Sequence, residues 1–311
     1  MKKDTKQYTF TVITAAYNAE KYISKCIWSV IKSKYDLKKV EHIIVDDGST
    51  DNTARIVKSF AKKFKHIKFY QKQNGNWGSV MNYVRDNKLI HNDYVVICDS
   101  DDMITRTAFL NANKYMEDAD VGIGGFYFWN GRCRRFPIYS YYYPFKRIMR
   151  DYKFHKIYAV TPVPFSYYVK NKMFYAYPDR FKEGAPYQDI PLFFWVQRNA
   201  KIIANIPHIM GYYWSIRPNN TMSKTSQVPG KNFQTFLKNM HYLETIDEPT
   251  FAFLYLLTMP NFFNLIKQQN IKFTFHSNPS VKMIPWIFRW ITRLVYLTRV
   301  KKYFIIKKDK N

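Results

Sequence analysis

Carboxylates are the side chains in this sequence most capable of chemistry, and they fall into three groups. Carboxylates packed together repel one another unless a cation joins them. Mg²⁺ or Mn²⁺ suits such oxygen donors, because one or two carboxylates hold the ion and substrate phosphates complete its coordination. The groups therefore indicate a divalent-cation site, although an Asp-x-Asp sequence alone is also typical of a solvated, capped loop. The three groups are Asp46-Asp47, the run Asp99-Ser100-Asp101-Asp102, and the pair Glu183 and Asp189.

The secondary structure around these groups helps to choose between the two interpretations. Over the first 120 residues, short apolar or β-branched runs alternate with segments of helical spacing. This order predicts a parallel sheet with helices on both faces, and ligands of such sheets bind beyond the carboxyl ends of the strands. The first two acidic groups directly follow predicted strands, which favours a functional site. We predict strands over 10–14, 42–45, 67–70 and 94–98, and helices over 19–32, 51–64 and around 79–87.

Beyond residue 120 the pattern is mixed. The glycine-containing run 121–128 predicts a further strand whose backbone can be approached closely. Residues 133–182 are rich in Tyr, Phe, Arg and Pro, and we expect an irregular lid or acceptor-side region there. The remaining predicted elements are a helix over 189–199 and short strands over 202–206 and 211–215.

Composition narrows the classes of protein to consider. The 311 residues are 47% hydrophobic and 23% charged, which excludes a wholly disordered chain. The net charge of +26 indicates an anionic partner, which could be nucleic acid, a lipid surface, a polymer or a nucleotide-bearing substrate. The three cysteines form no CxxC sequence, which argues against a disulfide framework or a zinc ribbon.

Four segments, taken in this order and at this spacing, resemble glycosyltransferase family 2. The resemblance covers roughly residues 8–220. It implies an α/β fold of the GT-A type, with a Rossmann-like, mostly parallel sheet and helices on both faces. The four segments are Val12-Ile13-Thr14-Ala15-Ala16-Tyr17-Asn18, Ile44-Val45-Asp46-Asp47-Gly48-Ser49-Thr50-Asp51, Asn74-Gly75-Asn76-Trp77-Gly78 with Asn82, and Asp99-Ser100-Asp101-Asp102.

The resemblance implies that the donor substrate is a UDP-sugar. Tyr17 and Asp47 would hold the uracil ring, by stacking and by hydrogen bonding to the ring N–H, and Ala15 would offer backbone contacts beside them. Asp99, with Ser100 next to it, would face the ribose or the sugar. The loop over the nucleotide would be shaped by Asn74, Gly75, Gly78 and Asn82.

The same resemblance implies a metal site that serves the diphosphate. Asp101, with Asp102, would hold Mn²⁺ or Mg²⁺, and the sequence leaves open which acid of the run is the principal ligand. Further along, residues 212–221 are similar to the family's Tyr-Arg…Ser stretch, with Thr221 in the place of the serine. Arg217 in this stretch would neutralise diphosphate charge through bidentate contacts.

The family's Glu-Asp pair at the start of a helix is Gln188-Asp189 in this chain. The aspartate is kept, so the resemblance implies that Asp189 is the catalytic base. Gln188 retains hydrogen-bonding capacity without the charge, which puts acceptor contacts at that position in doubt. Glu183 is the alternative base.

The C-terminal segment differs in composition from the rest of the chain. Residues 251–311 contain 11 Lys or Arg and a single acid, Asp309. Helical spacing over Met283–Val300 predicts an interfacial amphipathic helix, and an ordinary packed helix is the alternative. We expect a GT-A domain over 1–225, with halves at about 8–120 and 121–225, followed by a helical, basic and aromatic extension over 226–311 that contacts an anionic membrane through 281–308.

The expected cellular location depends on the lengths of the apolar runs and on the composition of the N-terminus. No run reaches the roughly 18 to 20 apolar residues that a spanning helix needs. No apolar core of signal-peptide length follows the basic N-terminus. We therefore expect a cytoplasmic protein that is peripheral on the inner face of the cell membrane.

The expected function is metal-dependent, inverting transfer of a hexose or N-acetylhexosamine from a UDP-sugar. The acceptor would be a hydroxyl of a lipid-linked or polymeric glycan in bacterial surface polysaccharide synthesis. Glycolipid synthesis or glycosylation of teichoic acid is the close alternative. A non-catalytic, basic protein that binds nucleic acid or a membrane is an alternative of a different class. No nucleic-acid-binding module is visible, so nucleic acid is not expected as a partner.

Overall fold

The chain divides into two compact units in the computed structural model. The first unit comprises Met1–Phe154 and Pro162–Arg217, and the second comprises His155–Thr161 and Pro218–Asn311. The domain boundaries expected from the sequence remain predictions. The structure describes residues 6–129, 134–138, 148–150, 163–181, 183, 189–214, 233–234, 237–238, 240–241, 266–275 and 304–306.

Ten strands of the first unit form one mixed sheet. The strands before the middle of the chain are β1 (Phe10–Ala16), β2 (Val40–Asp46), β3 (Ile67–Gln71), β4 (Tyr94–Ile97), β5 (Met103–Ile104) and β6 (Val121–Trp129). The later strands are β7 (Arg134–Ile138), β8 (Ile148–Arg150), β9 (Tyr167–Lys170) and β10 (Ile202–Trp214).

Four of the helices of this unit, α1, α2, α3 and α6, lie close to the predicted positions, and α4 and α5 were not predicted. Along α1, Ile23, Cys26, Ile27 and Val30 are buried at the spacing of one helix face. The α-helices are α1 (Ile23–Ile31), α2 (Thr53–Lys63), α3 (Asn76–Asp86), α4 (Ala108–Tyr115), α5 (Asn171–Ala176) and α6 (Asp189–Asn199), and 3₁₀ turns occur at Leu37–Lys39 and Pro164–Ser166.

The first four strands confirm the predicted doubly wound arrangement. They lie in the order β3-β2-β1-β4 and are all parallel. The connections through α1 and α2 run across the sheet in one direction, and the connection through α3 runs back in the other. Because such crossovers are right-handed, α3 lies on the opposite face of the sheet from α1 and α2. The carboxyl ends of β1, β2 and β4 meet at one edge, where the acidic groups follow.

The second half of the sheet corrects the expectation of an irregular region over 133–182. Within the described part of that range, β9 lies in the middle of the sheet, antiparallel to both β4 and β6, and α5 follows it. Tyr167, Tyr168 and Val169 are all buried. A strand buried on both faces has no alternation of apolar and polar residues, which is why the sequence pattern did not indicate it.

A second correction concerns the two short strands expected over 202–206 and 211–215. They form one strand, β10, which is parallel to β6 and has register irregularities between Ile206 and Gly211. Pro207 interrupts the pattern at this point. Since proline is tolerated at bulges, the chain bends there and continues in the sheet. The far part of β10 pairs with β5 and its start pairs with β8.

Two apolar clusters hold the helices on the sheet. One joins β1 and β4 to α1 and α4, with Phe10 and Phe109 among its fully buried members. The other joins Ala16 and Ile44 at the carboxyl ends of β1 and β2 to α1 and α2. The carboxyl edge of the sheet is therefore held in place by the packing of α1 and α2 against β1 and β2.

The sequence had suggested a helical C-terminal extension, but the second unit also contains strands. Two strands, β11 (Phe273–Phe275) and β12 (Phe304–Ile306), pair in parallel. Short helical pieces carry buried Phe233, Met240 and Ile266. The helix predicted over Met283–Val300 lies outside the described residues. Within the part of the chain that the structure describes, no helix combines the length and apolar character required to span a bilayer.

Candidate active site

The turn between β4 and β5 brings three carboxylates together. The backbone N–H of Asp102 donates to the carbonyl oxygen of Asp99 at 3.0 Å, which closes the turn. One oxygen from each of Asp99, Asp101 and Asp102 lies within 4.8 Å of the others. The start of the turn is fixed by the hydroxyl of Thr14, which donates to the carbonyl of Cys98 at 2.8 Å. Its end is fixed because β5 pairs with β10.

The chemistry of this carboxylate cluster fits a hard divalent cation. All three donors are carboxylate oxygens, which Mg²⁺ and Mn²⁺ prefer over softer ligands. Asp102 and Asp101 are buried, at 2% and 9% exposure. Burying like charges side by side is unfavourable unless a positive charge or hydrogen bonds compensate it. A bound cation would supply that compensation.

Asp47 follows β2 and is almost fully buried, but its carboxylate is occupied by donors from its own chain. Lys72 donates to Oδ1 at 2.8 Å, and the side chain of Ser79 lies 3.3 Å from the same oxygen. The backbone N–H groups of Gly75 and Asn76 donate to the carboxylate, the latter at 2.7 Å. These backbone N–H groups at the start of α3 have no acceptor within the helix, so Asp47 caps the helix. Its negative charge is also stabilised by the positive end of the helix dipole.

The first turn of α3 connects the two acidic groups. Asn76 contacts Asp47 through its backbone N–H, and the indole N–H of the next residue, Trp77, donates to Oδ1 of Asp99 at 3.2 Å. Asn74 also donates from its side chain to the carbonyl oxygen of Asp47 at 3.0 Å. Asp47, Asn74, Gly75 and Asp99 are therefore brought together at one edge of the sheet.

The loops after β1 and β2 are cross-linked beside this edge. Asn18 has a positive φ of 46°, and its side chain accepts from the backbone N–H of Thr50 at 2.8 Å. Its backbone N–H donates to the hydroxyl of Ser49 at 3.0 Å. These bonds fix the backbone next to Tyr17, a residue that is 50% exposed. Ala15 is half-buried in β1, paired with Val45.

In the loop after β2, the pKa of Asp51 is lowered. Burial acts to raise the pKa of Asp51, but hydrogen bonds from Thr53 and from the backbone N–H of Glu20 outweigh it and place the pKa below its ordinary value. Asp51 therefore stays ionised and holds the start of α2 against the loop after β1.

Asn82 joins α3 to a segment that is distant in the sequence. It is buried within α3 and grips the segment that follows α5. Its amide donates to the carbonyl of Phe181 at 2.8 Å and to Glu183 at 3.2 Å, and it accepts from the N–H of Phe181 at 3.0 Å. A contact between Asn82 and a nucleotide remains a prediction. Glu183, the alternative base, is exposed at this point.

Asp189 is the first residue of α6, as predicted, and is partly buried. The helix is held on β9 by Phe193, whose ring stacks on that of Tyr167 at 4.4 Å, and by Gln197, which donates to the Tyr167 hydroxyl at 2.9 Å. Since β9 pairs with β4, α6 is anchored to the strand next to the one that carries the carboxylate cluster. Gln188, Arg217 and Thr221 lie outside the described residues.

Sequence reasoning missed two residues of the site, Lys72 and Trp77. Lys72 comes directly after β3, and the pairing of Asp46 with Gln71 places it beside Asp47. A lysine at the end of the strand next to an acidic strand end was the available signal. Trp77 lies within the glycine-containing segment, where an aromatic residue gave no indication that its N–H would reach Asp99.

Comparison with known proteins now identifies the family. Residues 11–173 match the family described as Glycosyl transferase family 2. The chain belongs to this family. Over 306 residues it is 30% identical to the uncharacterized glycosyltransferase MG060 of Mycoplasma genitalium, covering 94% of this chain and 98% of that protein.

Solved structures support the GT-A fold for this family 2 chain. It resembles residues 1–349 of TarS from Staphylococcus aureus in complex with UDP-GlcNAc, with a TM-score of 0.60 and 18% identity over 95% of this chain and 89% of the other. The sequence of TarS, a poly(ribitol-phosphate) beta-N-acetylglucosaminyltransferase, is 30% identical over 110 residues, covering 35% of this chain and 19% of TarS. The mannosyltransferase PcManGT of Pyrobaculum calidifontis, in complex with GDP-Man and Mn²⁺, has a TM-score of 0.56 and 15% identity over 96% and 85% of the two chains.

Proposed function

We propose that this glycosyltransferase moves a sugar from a UDP-sugar to a hydroxyl of a glycan acceptor, with inversion at the anomeric carbon. The observation that carries the proposal is the cluster of Asp99, Asp101 and Asp102 at the carboxyl end of β4, next to the capped loop of Asp47. A UDP-sugar as donor is supported by the likeness to TarS, whose structure contains UDP-GlcNAc.

Asp101 and Asp102 of this cluster would hold Mn²⁺ or Mg²⁺, which when bound offsets the charge on the leaving diphosphate. Asp101 and Asp102 are the buried members of the cluster and would be the main ligands. Asp99, whose Oδ1 already accepts from Trp77, would face the ribose or the sugar with Ser100. Arg217 would add positive charge near the diphosphate.

Base recognition would come from the loops after β1 and β2. Tyr17 is exposed beside a fixed backbone, and its ring would stack on the uracil. Asp47 would accept from the ring N–H, so the ring would join or displace one of the donors that now occupy this carboxylate. Ala15, Asn74 and Gly75 would line the same region.

Asp189 would act as the general base. It would take the proton of the acceptor hydroxyl while the hydroxyl oxygen forms a bond to the anomeric carbon and the bond to UDP breaks on the opposite face. Base catalysis of this type contributes about 10² to 10⁴ to the rate. The position of Asp189 at the first turn of α6, anchored on β9, supports a fixed orientation for this carboxylate.

The acceptor that we propose is a lipid-linked or polymeric glycan of the bacterial cell surface. The relation to TarS favours the alternative in which a teichoic acid is glycosylated, and the high positive charge suits a polymer that carries phosphate. Glycolipid synthesis is the other alternative. We place the enzyme in the cytoplasm, peripheral on the inner face of the membrane, with anionic lipid contacts through 281–308.

The test combines ligand binding with release of UDP. We expect UDP with Mn²⁺ to raise the unfolding temperature and the protein to release UDP from one of a panel of UDP-sugars. Asp101→Asn should lose the Mn²⁺-dependent part of UDP binding, whereas Asp189→Asn should bind UDP almost normally and turn over 10² to 10⁴ times more slowly, roughly. Asp118→Asn, at an exposed acid paired with Lys6, is the matched control.

Two results would contradict the proposal. Turnover of Asp189→Asn near the wild-type rate would remove this residue as the base. Stabilisation by an oligonucleotide and not by UDP with Mn²⁺ would instead support a basic binding protein of the different class.

A further inference from the structure

The outer surface of α1 and α2 carries a cluster of aromatic rings away from the candidate active site. Trp28 of α1 is 41% exposed. Its ring centre lies 5.5 Å from that of Phe60 and 5.8 Å from that of Phe64, which lie on and directly after α2. The two phenylalanines are partly buried against the apolar cluster below and support the indole at the surface.

Exposed lysines surround these rings. Lys25 lies three residues before Trp28 on the same face of α1, and Lys32 directly follows the end of this helix. The ammonium of Lys32 is 5.6 Å from the centre of the Trp28 ring. On α2, Lys63 is the neighbour of Phe60 at helical spacing, and neither helix contains an acidic residue. The α1–α2 patch is defined as Trp28, Phe60, Phe64, Lys25, Lys32 and Lys63.

We propose that the α1–α2 patch docks this protein on an anionic lipid bilayer. Tryptophan favours the headgroup region of a bilayer, because its large ring is apolar and its N–H is polar. Exposed lysines are attracted by anionic headgroups within a Debye length of the surface. An aromatic centre with a rim of lysines is the arrangement that combines the two contributions.

The geometry of the rings favours a bilayer over nucleic acid. Base stacking requires an accessible aromatic face. In the patch, Lys32 lies over the Trp28 ring, and the planes of Phe60 and Phe64 meet it at 83° and 78°. None of the six patch residues belongs to the candidate active site, so the proposal does not depend on the proposed glycosyl transfer.

Flotation of the full chain with vesicles tests the proposal. We expect binding to vesicles of phosphatidylcholine with phosphatidylglycerol, weaker binding at high salt, and little binding to phosphatidylcholine alone. The triple variant Lys25→Glu, Lys32→Glu, Lys63→Glu should lower the partition coefficient by more than about tenfold, since each lysine contributes separately. Trp28→Ser should also lower it, whereas Trp28→Phe should retain part of the binding. Quenching of tryptophan emission by brominated lipid should decrease in Trp28→Phe.

The matched control reverses three exposed lysines elsewhere, in the variant Lys38→Glu, Lys68→Glu, Lys88→Glu. Equal losses in the two triple variants would assign binding to net charge and overturn the proposal. Unchanged binding of the patch variants would also overturn it, since other residues would then hold the membrane. A third result would overturn it as well: an oligonucleotide binds only when the three patch lysines are present, while vesicles bind equally well without Trp28. Thermal unfolding and UDP binding of each variant verify that the fold is intact.

Discussion

Replacing Lys72 with methionine should destabilise the first unit measurably, because it removes the counter-charge of a buried carboxylate. Lys72 is 18% exposed and lies 2.8 Å from Asp47, whose side chain is 3% exposed. Removing one partner of a fully buried ion pair costs about 3–5 kcal/mol. Lys72 is partly solvated, and Asp47 keeps the donors of Gly75, Asn76 and Ser79. We therefore expect a loss of about 2 kcal/mol, in the range for a single hydrogen bond to a charged group.

Thermal unfolding followed by circular dichroism measures this loss. For a unit of this size, about 2 kcal/mol corresponds to a decrease in the unfolding midpoint of roughly 4–8 °C. The exposed pair of Lys6 and Asp118 supplies the matched control, because its separation is similar, at 2.7 Å, while its side chains are 60% and 56% exposed. Lys6→Met should leave the midpoint unchanged within the precision of the measurement.

A double-mutant cycle with Asp47→Asn isolates the interaction itself. If Lys72 acts through Asp47, the two substitutions should couple by about 1–2 kcal/mol, because the second change has little left to disrupt. A Lys72→Met protein as stable as the Lys6→Met protein, or a coupling of zero, would refute the assignment of Lys72 as the counter-charge of Asp47. Under the proposed function, Lys72→Met should also weaken UDP binding, since Asp47 would lose its fixed position.

Three further predictions follow from single contacts. Trp77→Phe removes the N–H that donates to Asp99 but keeps an aromatic ring. We expect calorimetry to show Mn²⁺-dependent UDP binding that is weaker by up to about tenfold, with a nearly unchanged unfolding midpoint. Equal affinity of variant and wild type would contradict a role for Trp77 in positioning Asp99. Gly48→Ala should destabilise by about 1–3 kcal/mol in denaturant unfolding, because φ is +74° and the new Cβ would lie 2.9 Å from the backbone nitrogen of Asn74; an unchanged midpoint would count against it. Burial lowers the pKa of His42 to about 3, so below pH 6.5 the unfolded chain binds a proton that the folded protein does not, and the folded protein should lose stability as the pH falls towards 3. His42→Gln lacks this loss, so the difference in unfolding free energy between wild type and variant should shrink over that range. A difference that stays constant with pH would contradict this prediction.

Much of the fold could be predicted from local patterns. Apolar runs indicated β1 to β4 and helical spacing indicated α1 to α3, because these patterns lie within each element's own residues. The position of α6 over 189–199 was also confirmed. The interior strand β9 was missed, since three adjacent buried residues have no period that separates a strand from a loop.

The candidate site divides in the same way. The carboxylate cluster could be predicted because all three acids lie within four consecutive residues that follow a strand, so one turn is enough to bring them together. The hydrogen bonds of Asn82 could not be predicted in this way. Its partners, Phe181 and Glu183, lie about 100 residues away in the chain, and no local pattern records a contact over that separation.

The sequence by itself determined that acids follow the ends of parallel strands, because strand patterns are local properties of the chain, and its four motifs carried the resemblance to glycosyltransferase family 2. Only the tertiary structure decided which groups surround those acids. Lys72 reaches Asp47 through the register of β3 on β2, and Trp77 reaches Asp99 through the seating of α3 on the sheet. Such contacts depend on how whole elements pack against one another, which is set by the summed burial of many residues and not by the identity of any neighbouring few.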